Sequence, residues 1–289
     1  MKADIMWLGS TDSTNEEAKR IISDIDNLSV LSALEQTAGR GQRGNSWHSA
    51  AGENLLFSIV LKYRKEGMRP NCLPPVRACD QFVICETAAL AVTDFLSGYG
   101  ISAKIKWPND IYIGDKKICG ILVEHSIRGE WLSNSIIGIG LNINQRNFNV
   151  NLPNPTSMAL CTSGSYDIRK CLDEFMTIFT AYLERYLNIT GGYLKLRKMY
   201  LSQLWRKDIE AVFIDYTTLP TGHLEGPMNI RPQNDPASGI PPHINPQDQP
   251  GNVFPGIIRG LSSTGNLLVE DLSTGLTREF GFKEIGYIL

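Results

Sequence analysis

The sequence lacks the signatures of a membrane, secreted or metal-binding protein. No apolar run reaches membrane-spanning length, and the N-terminus has neither a charged leader with an apolar core nor an export cleavage site. The six cysteines form no C-x-x-C pair and no Cys/His cluster with zinc spacing, which favours small buried thiols in a reducing cytosol. We therefore expect a cytoplasmic protein whose own side chains hold no metal.

An excess of charge is also missing. The chain has 28 Lys and Arg against 30 Asp and Glu, a net charge of -2, so it offers no footprint for nucleic acid or an anionic membrane. Its 289 residues suffice for one large domain and a small one. We predict a globular protein that binds neither nucleic acid nor membrane.

Hydrophobic periodicity changes character near Arg206, so we predict domains at 1–205 and 206–289. The first domain alternates strands and helices, and the second reads as a small all-β module. Within the second, 217–253 is rich in Pro, Gly, Asn and Gln, which predicts an exposed excursion. The strands predicted in the first domain are 4–8, 28–35, 54–63, 103–107, 111–113, 117–124 and 131–142, and its helices are 13–22, 74–96, 168–187 and one ending near 205.

A cluster of hydroxyls and amides, S-T-D-S-T-N over 10–15, lies at the first strand-to-helix junction. These groups are able to hydrogen-bond a small polar ligand. Taken alone, the pattern is better explained as a helix cap.

A loop rich in glycine and arginine, T-A-G-R-G-Q-R-G-N-S-W-H, follows over 37–48. Glycines let backbone N–H groups approach anionic oxygens, and arginines neutralise phosphate or carboxylate charge. Such a loop, expected to be mobile and irregular, is suited to close over substrates. It has neither the G-K-[ST] ending of a P-loop nor a dinucleotide fingerprint.

Three further motifs lie on predicted strands. They are K-W-P-N-D over 106–110, K-I-C-G-I-L-V-E over 117–124 and G-I-G-L-N over 138–142. In the second, a lysine opens an otherwise apolar strand, where it is able to place one positive charge beside a ligand; a lysine at a strand edge is the plain alternative. In the third, small residues late in a strand permit close approach of a ligand.

The order of the motifs resembles the biotin protein ligase family from about residue 8 to 145. The similarity continues more weakly in the β module through Gly260, G-N-L-L-V-E over 265–270 and Gly275. The resemblance implies an α+β fold: a catalytic domain like that of class II aminoacyl-tRNA synthetases, with a mixed sheet and helices, and a small C-terminal SH3-like β-barrel. Lipoate or octanoate protein ligases share this scaffold and are the alternative, although the Gly/Arg loop and K-W-P-N-D favour biotin.

The resemblance also implies the reaction. Biotin's carboxylate attacks the α-phosphorus of ATP to give biotinyl-5′-AMP, and a lysine of a biotin carboxyl carrier protein or domain of acetyl-CoA carboxylase or a related carboxylase then displaces AMP. Mg²⁺ accompanies ATP and is bound largely through its phosphates. A homodimer is left open. No helix-turn-helix fits before the first motif, so no DNA-binding domain is expected.

Residue roles follow from motif position. The implied catalytic residues are Arg40, Lys117 and Asp110. The implied biotin-binding residues are Ser13, Thr14, Asn15, Gln36, Gly39, Arg40, Lys117, Gly120 and Ile121. The implied nucleotide-binding residues are Arg40, Gln42, Arg43, Trp47, Lys117 and Asn142. The sequence departs from the family's basic loop at Gln42 and Asn45, which replace arginines, and the 217–253 excursion has no counterpart in the pattern.

Overall fold

A computed structural model describes residues 3–42, 45–64, 72–187, 191–217 and 252–288. The chain divides into two compact units, Met1–Trp205 and Arg206–Leu289. Almost all of the predicted excursion lies outside the described residues. Within the described ranges, no helix is long and apolar enough to cross a membrane.

The first unit is built on a seven-stranded mixed sheet with the order β1-β2-β3-β7-β6-β5-β4. β1 runs parallel to β2, and the other neighbouring pairs are antiparallel. The strands are β1 (Asp4–Thr11), β2 (Ser29–Gln36), β3 (Leu55–Lys62), β4 (Lys104–Lys106), β5 (Asp110–Ile113), β6 (Lys116–Arg128) and β7 (Trp131–Leu141). The central strand β3 is buried along almost its whole length, which explains its nearly continuous apolar sequence.

Helices cover both faces of this sheet. They are α1 (Thr14–Arg20), α2 (Phe82–Gly98), α3 (Met158–Thr162), α4 (Ile168–Tyr182, continued by a π-helical turn at Leu183–Leu187) and α5 (Gly192–Ser202). Phe57 of β3 packs on Phe175 of α4 with ring centroids 5.3 Å apart. Side chains alternate between the two faces of a strand, so Val60, three residues after Phe57, points to the opposite face. There it packs against Ala18 of α1. The face that carries α1 is called the α1 face below.

The start of the second helix was predicted wrongly. The sequence predicted a helix over 74–96, but α2 begins at Phe82 after a 3₁₀ turn. Upstream, the Val76 carbonyl accepts a hydrogen bond from the Leu132 N–H at 2.9 Å, which holds the chain extended against β7. Pairing with a distant strand therefore prevails over the local helical pattern.

The second unit is a five-stranded antiparallel sheet with the order β11-β10-β9-β8-β12. Its strands are β8 (Glu210–Asp215), β9 (Asn252–Leu261), β10 (Leu267–Asp271), β11 (Leu276–Phe280) and β12 (Ile285–Ile288). The last was not predicted. Buried Asp215 and Asp271 share Arg278, which also lies over the rings of Phe254 and Phe280.

Candidate functional site

A patch of bare backbone lies on the α1 face where β6 pairs with β7. Gly120 and Gly140 are direct cross-strand partners there, and the pair is called the glycine floor below. The Trp47 indole lies on both residues: a Cβ added at Gly140 would be 2.4 Å from Trp47 Cε2, and one at Gly120 would be 3.0 Å from Cζ3. Only glycine therefore lets a flat ring lie this close to the strands.

A cation and a carboxylate lie beside the glycine floor. Lys117 Nζ is 2.7 Å from Asp110 Oδ1 and 5.7 Å from the centroid of the Trp47 ring. Both side chains remain partly exposed, at 31% and 24%, so a ligand is able to reach them. The Lys117 N–H donates to Asn154 O at 2.8 Å, and its carbonyl accepts from the Thr156 N–H at 2.9 Å. One ammonium group is thus held at a fixed place.

The segment before β5 positions Asp110. Asn109 Nδ2 donates to Ile121 O at 2.6 Å, and the Ile121 N–H donates to Asn109 O at 2.9 Å. The buried Tyr200 hydroxyl donates to Pro108 O at 3.1 Å. These bonds tie the K-W-P-N-D motif to β6 and α5, which accounts for its asparagine and fixes the carboxylate next to Lys117.

Buried polar side chains meet at the start of α1. The Thr14 N–H and hydroxyl donate to Gln36 Oε1 at 2.8 and 3.2 Å. The Ser58 hydroxyl lies 2.8 Å from Thr14 Oγ1 and 2.6 Å from Asn15 Oδ1. Asn15 also packs on Gly138, where an added Cβ would be 2.4 Å from Asn15 Oδ1. A compact polar group therefore lies beside the glycine floor on the same face.

Two members of this group differ in what they offer a ligand. The Asn15 amide is bonded at both ends within the protein, since Nδ2 donates to Glu124 Oε2 at 2.8 Å. Buried Ser13 precedes α1, but its hydroxyl does not cap the helix. The Asn15 side chain therefore supports its neighbours, whereas the Ser13 hydroxyl is not committed to the cap that the sequence suggested.

The described ends of the Gly/Arg loop pair with each other. The Trp47 N–H donates to Gly39 O at 2.8 Å, and the Gly41 N–H donates to Asn45 O at 2.7 Å. Gly39, whose added Cβ would be 2.5 Å from Trp47 O, permits this close approach. A single antiparallel bridge joins Arg40 and Ser46, and the described residues of the loop form no strand. Arg43 lies outside the described residues.

The Arg40 side chain contacts α1. Its Nη1 pairs with Glu16 Oε1, and Lys19 Nζ lies 2.8 Å from the same oxygen and 2.8 Å from Glu124 Oε1. Burial opposes ionisation of Glu124, but hydrogen bonds from Lys19 and its neighbours outweigh burial and hold the Glu124 pKa below its ordinary value. Arg40 and Lys117 thus pair with different carboxylates, Arg40 with Glu16 and Lys117 with Asp110.

In the described part of the first unit, two buried polar side-chain atoms have no hydrogen-bond partner, Trp47 Nε1 and Asn142 Oδ1. Asn142 is 4% exposed, and its Nδ2 donates to Thr156 O at 2.9 Å. A buried donor or acceptor without a partner is costly. These atoms therefore mark positions where a ligand would complete the hydrogen bonding.

Eight of the predicted site residues thus fall into two groups on one face. The first contains Ser13, Thr14, Asn15 and Gln36, and the second contains Gly120, Lys117, Asp110 and Trp47. Ile121 follows Gly120, so its buried side chain turns to the opposite face and only its backbone faces the site. Gln42 is half-buried in the loop, where its carbonyl accepts from the Asn45 N–H.

Sequence reasoning gave no site role to Ser58 or Glu16. It placed Glu124 and Gly140 within motifs but did not name them as site residues. The signal for Ser58 was a polar residue inside an otherwise apolar strand. Among the described residues, no group of three or more His, Cys, Asp or Glu is placed to hold a metal ion.

Comparison with known proteins confirms the fold and relates part of the first unit to a known family. Residues 7–142 match the sequence model of the Biotin/lipoate A/B protein ligase family. This segment belongs to that family. The Bifunctional ligase/repressor BirA of Bacillus subtilis is 36% identical over 140 residues, which are 48% of this chain and 39% of that protein. The Biotin--[acetyl-CoA-carboxylase] ligase of Paracoccus denitrificans is 37% identical over 139 residues, 47% of this chain and 53% of that protein.

The family domain therefore spans about half or less of the curated relatives that it matches. The chain is similar in fold to a solved biotin protein ligase from Aquifex aeolicus in complex with biotin and ATP. The TM-score is 0.68 at 22% identity, over 98% of this chain and 97% of that chain. The predicted α+β fold, with a mixed sheet, helices and a small C-terminal β unit, is confirmed.

Proposed function

We propose that the protein uses ATP to convert biotin to biotinyl-5′-AMP and then transfers the biotinyl group to a lysine of a carrier protein. The observation that carries the proposal is the glycine floor with Lys117 at its side. The Trp47 indole now covers this floor. When it moves aside, strand backbone without side chains accepts an extended apolar chain, and one ammonium group stands where that chain's carboxylate would react. The name of the Paracoccus relative and the ligands of the Aquifex structure support biotin and ATP as substrates.

The polar group at the start of α1 suits the ureido head of biotin, which presents N–H donors and a carbonyl acceptor. Gln36 Oε1 already accepts from Thr14, which leaves Gln36 Nε2 as a donor for the ureido carbonyl. The Ser13 and Thr14 hydroxyls are able to accept from the ureido N–H groups. Asn15 and Ser58 hold this arrangement in place, and Gly39 lets the loop backbone come close.

Lys117 stabilises the charge that develops when biotin's carboxylate attacks the α-phosphorus of ATP. Negative charge gathers on the oxygens between the two groups, and an ammonium held in advance lowers the energy of that state. Asp110, 2.7 Å away, fixes the position of the ammonium. Arg40 is the second cation proposed for this step. No covalent intermediate with the enzyme is needed.

The unpartnered atoms near the glycine floor suit a nucleotide. Asn142 Oδ1 is able to accept from an amine of adenine, and Trp47 Nε1 is able to donate to an oxygen or ring nitrogen. Gln42 and Arg43 complete the proposed nucleotide contacts. Mg²⁺ would be held mainly by the phosphates, whose charge it neutralises.

In the second step, the amine of the acceptor lysine attacks the biotinyl carbonyl of the mixed anhydride and AMP leaves. Asp110 is partly exposed beside Lys117, so it is placed to orient an incoming amine. The proposed acceptor is a biotin carboxyl carrier protein or the equivalent domain of a carboxylase.

The test combines the protein with biotin, ATP, Mg²⁺ and a carrier domain, and follows pyrophosphate, AMP and avidin-reactive carrier. We expect all three products, and only pyrophosphate with bound biotinyl-5′-AMP when the acceptor lysine of the carrier is replaced by arginine. A parallel reaction contains lipoate instead of biotin. Preference for lipoate, or no product with biotin, would contradict the proposal.

A further inference from the structure

We infer that Glu16 is a positioning residue that orients Arg40 for the adenylation step, an inference that rests on the proposed function. Glu16 Oε1 pairs with Arg40 Nη1 and lies 2.8 Å from Lys19 Nζ. The carboxylate is therefore placed between a cation of the loop and a cation of its own helix. Its orientation is set before any ligand enters.

A chain of contacts anchors Glu16 to the centre of the sheet. Lys19 lies 2.8 Å from Glu124 Oε1, and Glu124 Oε2 accepts from Asn15 Nδ2 at 2.8 Å. Asn15 Oδ1 is 2.6 Å from the fully buried Ser58 hydroxyl. The partner of Arg40 is thus not a free surface carboxylate but one end of a network that reaches β3.

The same network returns to the base of the loop. Ser58 contacts Thr14, and Thr14 donates to Gln36, whose Nε2 would lie 3.2 Å from a Cβ added at Gly39. Gly39 directly precedes Arg40. The Arg40 backbone therefore lies next to the polar group of the site, and its guanidinium is paired with Glu16.

This pairing leaves Arg40 able to bind an anion. A guanidinium has five N–H donors in a fixed fork, and Glu16 contacts only Nη1. The Arg40 side chain is 50% exposed, so a carboxylate or phosphate is able to reach its other donors. Ordering a long side chain costs conformational entropy. Because the ion pair with Glu16 already orders much of the Arg40 side chain, less of this cost remains when the substrate binds.

The test is the rate of a single turnover of biotinyl-5′-AMP formation in Glu16→Gln. We expect a fall of about tenfold, because one charge-assisted contact is lost, with little change in the biotin concentration at half-maximal rate. Glu17→Gln is the matched control. Glu17 lies in the same first turn of α1, pairs with Arg20 and is similarly exposed, 27% against 31%, so it should keep the wild-type rate.

A double-mutant cycle separates positioning from a general effect on folding. Glu16→Gln should cause no further loss in an Arg40→Gln background, and Glu16→Asp should recover part of the rate. Additive losses, an unchanged rate or a faster Glu16→Gln variant would each overturn the inference. A wild-type protein that forms no biotinyl-5′-AMP would instead refute the proposed function, and this inference with it.

Discussion

Replacing Gly140 by alanine should obstruct the proposed active site without unfolding the protein. The added Cβ would lie 2.4 Å from Trp47 Cε2, where ordinary contacts begin at 3.4 Å, so the indole must move by about 1 Å (3.4 minus 2.4). The methyl group also fills space over the strand that the Trp47 indole, or a ligand that replaces it there, needs. Because a misplacement of this size near the reacting groups is able to cost about 100-fold in rate, we expect a loss of that order in kcat/KM for biotin-dependent pyrophosphate release.

The same argument predicts a graded series. An added Cβ at Gly120 would be 3.0 Å from Trp47, a shift of about 0.4 Å, so Gly120→Ala should lose roughly tenfold or less. Gly9→Ala is the control, because that glycine lies in β1 with nothing within 4 Å of the added Cβ. Thermal unfolding checks that all three variants fold. Wild-type activity in Gly140→Ala, or a larger loss in Gly120→Ala, would refute the reasoning.

Three further changes test other parts of the structure. Lys117→Ala should slow adenylation by about 2–4 kcal/mol in activation free energy while biotin binding changes little, because the ammonium acts on charge that develops in the transition state; an unchanged pre-steady-state rate would exclude that role. Burial lowers the pKa of His125 from 6.5 to about 4. Between these two values the unfolded chain binds a proton that the folded protein does not, so the free energy of unfolding should fall as pH drops through this range. Urea titrations of His125→Gln should show a smaller fall. Replacing 218–251 by a short turn should preserve the second unit and adenylation, because Asp215 and Asn252, on either side of it, are paired across β8 and β9; loss of adenylate synthesis in a folded variant would place that segment in the active site.

The local hydrophobic pattern of the sequence predicted most of the strands, because each has an apolar run or an apolar/polar alternation that matches its burial in the fold. It failed where partners come from far along the chain. The segment around Val76 is extended because it pairs with β7. The four-residue strand β12 exists because it pairs with β8, some seventy residues earlier in sequence. The residues of these two segments do not indicate which strand each pairs with.

The site residues also divide into those that the sequence predicted and those that depend on distant contacts. Its glycines, Lys117 and the polar cluster at the start of α1 stand out in sequence because they interrupt apolar segments. The pairing of Arg40 with Glu16 was not predictable, since it depends on how the loop folds back onto α1. Ser58 looked like one small residue in a core strand, and only the alternation of β3 places it on the same face as Thr14.

The described part of the site is close to electrical balance, which bears on how it would recognise its substrates. Lys117 is paired with Asp110, and Arg40 is paired with Glu16. Gln42 adds no charge where the family resemblance leads one to expect an arginine. A site balanced in this way exerts little net attraction on a triphosphate at a distance, so recognition would rest on directional contacts at short range and on Mg²⁺ that arrives with the nucleotide. Because each cation is already oriented by its own carboxylate, the two charges would act mainly on the transition state of the proposed reaction and less on attracting the substrate.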